Sequence, residues 1–74
     1  MACIQPDGSL SPSGELILLA LRNPATPEDA VRETGIPLFL VRGAVREFLQ
    51  AGYLEETGDK FRLTPKGLAA LEGS

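Results

Sequence analysis

The sequence predicts one small, mainly helical α+β domain, with three helices in the core, a two-stranded hairpin and a short last helix. Three observations carry this. A hydroxyl residue precedes a proline at Ser11-Pro12, Thr26-Pro27 and Thr64-Pro65, which pairs a capping side chain with a preset φ at the first helical position. Gly35 and Gly52 follow helical stretches at the points where a left-handed cap belongs. Gly58-Asp59 divides two short segments and suits a primed hairpin turn. At 74 residues the chain can hold a single thin core, because a fold of this size buries only about 60% of the surface its unfolded chain exposes.

Taken in order, residues 1–10 hold the turn formers Pro6 and Asp7-Gly8 between Ala2, Cys3, Ile4 on one side and Leu10 on the other. This is an N-terminal arm or a short strand, and the domain proper reads as 11–74. The first helix opens at Ser11 and runs through Arg22, where Asn23 and Pro24 stop it. Its run from Leu16 to Leu21 is apolar all round, which a surface helix of a small domain rarely is. Either the arm, with Ile4 and Leu10, covers the second face, or a second copy of the helix does so in a homodimer. The arm is the favoured cover.

The second helix has the stronger start, with Thr26, Pro27, Glu28 and Asp29 in sequence, so two carboxylates face the positive end of the helix dipole. It runs to Thr34, Gly35 caps it, and Ile36-Pro37 leads directly into the third, about 38–51. There Leu38, Val41, Val45 and Phe48 form one stripe with Ala44 beside it, the face that turns to the core. In the hairpin, opposing Thr57 with Lys60 pairs Glu55 with Arg62 on a polar face and Leu54 with Leu63 on a mostly apolar one. The last helix starts at Pro65 and is expected to carry Leu68 and Leu71 inward before Gly73 and Ser74.

Composition narrows the chemistry. With no histidine and one cysteine, the usual proton shuttle and the usual transition-metal ligands are missing. The neighbouring carboxylates Glu28-Asp29 and Glu55-Glu56 point apart on a helix or a strand and make no acid/base dyad. The glycines are scattered singly and build no phosphate cradle. The expectation is a protein that is not an enzyme, with no catalytic residues, no metal and no cofactor. No apolar run approaches the ~20 residues needed to cross a bilayer, and the first residues lack a secretory pattern. A cytoplasmic location is expected.

From Thr26 to Leu71 the chain resembles a known architecture. Glu33-Thr34-Gly35-Ile36, then Leu49-Gln50-Ala51-Gly52-Tyr53-Leu54, then a short hairpin and Leu63-Thr64-Pro65-Lys66-Gly67 resemble winged helix-turn-helix domains of the MarR and ArsR type. The resemblance implies that 38–51 is a recognition helix for a major groove and that 53–63 is the wing. It implies a small DNA-binding transcriptional regulator.

Opposite its core stripe, the third helix carries Phe39, Arg42, Gly43, Arg46 and Gln50. Arginines there can grip guanine edges, a glutamine can meet adenine, and Gly43 lets the helix backbone approach a duplex. Lys60 and Arg62 on the wing and Lys66 at the start of the last helix complete the candidate contacts with double-stranded DNA. A monomer with these contacts binds weakly. Charge argues for an alternative, a protein-protein interaction module that does not bind DNA. Residues 1–37 hold two basic and five acidic side chains, for −3, and residues 38–74 hold five of each, for zero, whereas DNA-binding domains usually show a basic footprint. In that alternative Phe39 anchors a protein partner.

Overall fold

The computed structural model describes residues 4–6 and 8–73. The order is α1 (Pro12–Ala20), α2 (Pro27–Thr34), α3 (Leu38–Ala51), β1 (Leu54–Thr57), β2 (Lys60–Leu63) and α4 (Pro65–Glu72). All three hydroxyl-proline starts are helix starts. Ser11, Thr26 and Thr64 each accept a hydrogen bond from the backbone N–H three residues on. At α2 the cap is reciprocal, because Asp29 Oδ2 accepts from the Thr26 N–H at 3.1 Å, a capping box. Both glycine stops lie in the left-handed region, Gly35 at φ 75° and Gly52 at φ 83°.

The hairpin has the expected antiparallel register, Leu54 with Leu63, Glu55 with Arg62, Glu56 with Phe61 and Thr57 with Lys60. Gly58 sits at φ 64° while Asp59 has no positive φ, as a II′ turn requires of its two central residues. Beyond the hairpin, Phe61 exchanges two backbone hydrogen bonds with Ala25, at 2.8 and 3.1 Å. No local signal in the sequence marks this pairing. It clamps the wing against the loop that opens α2.

The core comprises Leu10, Ile17, Leu18, Leu21, Ala30, Val41, Ala44, Val45, Phe48 and Leu54, with Ala20 at its edge. Val41, Ala44, Val45 and Phe48 are the buried side of α3, and Leu38 at its start is half-buried. Phe48 is fully buried and its ring lies 6.1 Å from that of Tyr53.

Three expectations need correction. The first helix ends at Ala20 and not at Arg22; the Leu21 and Arg22 N–H groups bond to the carbonyls of Leu18 and Leu19 instead, which tightens the last turn. The described residues of the arm do not cover the outer side of α1. Leu10 is buried, and Ile4 pairs with it and packs on the core, yet Leu16 and Leu19 stay 50% and 44% exposed. Ala2, Cys3 and Asp7, to which the arm reading also appealed, lie outside the described residues. Finally, Leu68 does not point inward but is 48% exposed, while Ala70 and Leu71 pack on the core.

The reason is Gly67, the buried residue of α4. A Cβ there would stand 2.2 Å from the Tyr53 carbonyl oxygen and 2.7 Å from Leu63 Cδ1. The helix is seated backbone-on against the base of the wing, which turns Leu68 outward. Thr64 fixes this seat, its hydroxyl donating to the Gly52 carbonyl at 2.6 Å while accepting from the Gly67 N–H at 3.1 Å.

Candidate nucleic-acid interface

Helix α3 is half core and half surface, and its apolar stripe determines which side chains face out. With Val41, Ala44, Val45 and Phe48 buried, Phe39, Arg42, Arg46 and Gln50 are exposed. Phe39, Arg42 and Arg46 line one open depression of about 440 Å³ together with Pro27, Val45, Leu49 and Phe61. Phe39 does not tuck under the wing, since it is 73% exposed. Gly43 lies half-buried on the other flank of Phe39, beside Leu40 and Glu47. No heavy atom outside its own helix backbone and neighbours lies within 4 Å of where a Gly43 Cβ would be. The fold therefore does not demand a glycine there.

The cations differ in how they are held. Arg46 makes no hydrogen bond or ion pair among the described residues, whereas Arg42 Nη2 is 3.3 Å from Glu28 Oε2 in the first turn of α2. That pair spans 14 residues of sequence and went unanticipated. On the wing, Arg62 is paired with Glu55 across the strands, as the register implies, through Nε at 3.0 Å and through Nη2. Lys60 has no carboxylate within ion-pair distance among the described residues. Its charge nevertheless acts on Asp29, whose carboxyl is held below its ordinary value first by the Thr26 N–H, then by the Thr26 hydroxyl, and further by Arg32 and Lys60, against the opposing effect of desolvation. Lys66 sits apart, at the far end of α3, with its ammonium 5.9 Å from the centre of the Tyr53 ring and beside Gly52, a cation–π distance.

The structure thus brings Phe39, Arg42 and Arg46 together around one depression that Phe61 also lines, while Lys60, its neighbour on β2, does not line it. Gln50 continues the exposed face one turn beyond Arg46. Arg62 is engaged by Glu55, and Lys66 belongs to the base of the wing. Sequence reasoning missed Pro27 in the lining and Glu28 beside Arg42, because both are contacts made across the chain with no local signature.

No protein-family model matches the chain, and no curated protein sequence matches it. A solved structure does. Bordetella bronchiseptica BpsR, whose DNA binding is regulated by 6-hydroxynicotinic acid, matches with a TM-score of 0.82 and 30% sequence identity, over 92% of this chain and 55% of that one. The chain therefore spans about half the length of the BpsR chain. With its helix order, its hairpin and this likeness, the chain is a winged helix-turn-helix domain. In that fold the hairpin β1–β2 that follows α3 is the wing. Among the described residues no helix is long and apolar enough to cross a membrane.

Proposed function

We propose that the chain is the DNA-binding unit of a transcriptional regulator, with α3 entering the major groove and the wing reaching the flanking phosphates. The observation that carries this is the outer face of α3, where Arg42, Arg46 and Gln50 stand exposed on a helix whose other side is fully committed to the core. The likeness to BpsR, a protein that binds DNA, supports the same reading. Arg46 and Arg42 are the base and phosphate contacts of α3, Gln50 extends them, Lys60 is the wing's phosphate ligand, and Lys66 supplies a contact at the wing's base. Arg62, already bound to Glu55, contributes less. Phe39 packs against a thymine methyl.

Binding of a fluorescent mixed-sequence duplex, followed by anisotropy from ~20 to ~200 mM salt, tests the proposal. Four cationic contacts predict a log–log slope of about −3 to −4. Arg42→Glu with Arg46→Glu abolishes binding and leaves the fold intact, since both side chains are exposed; persistent binding would remove α3 as the reading element.

A second reading rests on Phe39. An aromatic ring 73% exposed beside a mostly apolar depression is the kind of anchor that dominates protein interfaces. It takes precedence if the wild type fails to bind duplex even at ~20 mM salt, where electrostatic contacts are least screened.

A further inference from the structure

We propose that Glu28 is a built-in competitor of DNA for Arg42, so that the first turn of α2 sets the affinity of the face formed by α3. The inference rests on the DNA-binding reading and concerns how that face is regulated. It starts from the seat of α2. The two hydrogen bonds between Ala25 and Phe61 lock the start of α2 against the wing, and the capping box between Thr26 and Asp29 fixes the direction of the first turn. Glu28 is thereby carried to Arg42, 3.3 Å away, and Asp29 is carried to where Arg32 and Lys60 both act on its carboxyl. Two of the cations expected to meet phosphate are therefore under the influence of adjacent acidic residues of one helical turn. Arg46, one turn further along α3, is outside it.

The pair is exposed on both sides, 61% at Arg42 and 53% at Glu28, so it is weak and solvent-screened. A phosphate can displace the carboxylate. Displacement has two costs, the broken pair and a carboxylate left beside the duplex. The released carboxylate also takes up a counterion, which offsets part of the counterion release that drives binding. An acidic chain with a net charge of −3 would in this way bind DNA through a face whose strength is kept low by its own second helix.

The test is a double-mutant cycle on duplex affinity at several salt concentrations. Glu28→Gln should tighten binding about 2- to 5-fold at ~20 mM salt, the effect of releasing one exposed pair, and steepen the salt slope by up to about 0.9, one more counted phosphate contact. In an Arg42→Gln background the same substitution should gain clearly less, because only the repulsion between carboxylate and duplex is left to remove. An equal gain in both backgrounds would reduce Glu28 to a share of the net charge and overturn the proposal. So would unchanged affinity on Glu28→Gln where Arg46→Gln still weakens binding, an outcome that leaves the DNA reading standing. Absence of binding by the wild type and by every variant at ~20 mM salt would instead defeat the DNA reading, and the competitor with it.

Discussion

Replacing Gly43 with alanine separates what the fold needs from what a ligand needs. In mid-helix, glycine is up to about 1 kcal/mol less favourable than alanine, because it loses more backbone freedom on folding. Here nothing opposes the gain, since an added Cβ meets no heavy atom within 4 Å beyond its own helix. A change of 1 kcal/mol moves the midpoint of a domain this size by about 4–8 °C, so Gly43→Ala should raise the midpoint by several degrees in a thermal melt followed by circular dichroism. If the backbone of α3 lies against a duplex at Gly43, the same methyl group should weaken binding in an anisotropy titration. Greater stability with poorer binding is the expected combination. A fall in the midpoint would mean that α3 is rotated from the orientation described. A raised midpoint with unchanged affinity would remove Gly43 from the contact surface.

Other expected outcomes follow from packing and caps. Phe48→Ala should cost about 3–5 kcal/mol in denaturant unfolding, as emptying a fully buried aromatic site does, while Arg46→Ala should stay within about 0.5 kcal/mol; equal losses would refute the facing of α3. Gly67→Ala should destabilise by at least about 1–3 kcal/mol, because its Cβ would collide with the Tyr53 carbonyl, and a neutral result would mean that α4 is not seated backbone-on. Asp29 stabilises the fold only when ionised. Its folded pKa lies below the ordinary aspartate value of about 3.9, so its contribution is present above that value and is lost as pH falls through the lower folded one. Asp29→Asn should accordingly be less stable than wild type at pH 7, with the difference shrinking as pH falls through the acid range, and a pH-independent difference would contradict the capping-box account.

The elements were legible where local chemistry decides them. Ser11, Thr26 and Thr64 cap helices because a hydroxyl followed by proline is a self-contained signal, and the hairpin register follows from side-chain alternation around Gly58-Asp59. The outer face of α3 was legible too, since its buried stripe leaves Arg42, Arg46 and Gln50 nowhere else to point. What escaped were contacts made across the chain. The Ala25–Phe61 bridge involves one residue between a proline and a cap, and no periodicity marks it. Nor does any local pattern mark the pairing of Glu28 with Arg42, 14 residues apart. The outward turn of Leu68 escaped for a related reason: its helical spacing is compatible with burial, and only the close approach of Gly67 to Tyr53 and Leu63 sets the rotation of α4.

Residue-by-residue amide shifts show whether the outer face of α3 meets DNA. The isotopically labelled domain would be titrated with a mixed-sequence duplex at ~20 mM salt, where electrostatic contacts are screened least. If that face meets DNA, shifts concentrate at Arg42, Gly43, Arg46 and Gln50, with Lys60 on the wing, and reverse as salt is raised. An unperturbed spectrum, or shifts confined to the exposed side of α1 around Leu16 and Leu19, would contradict it.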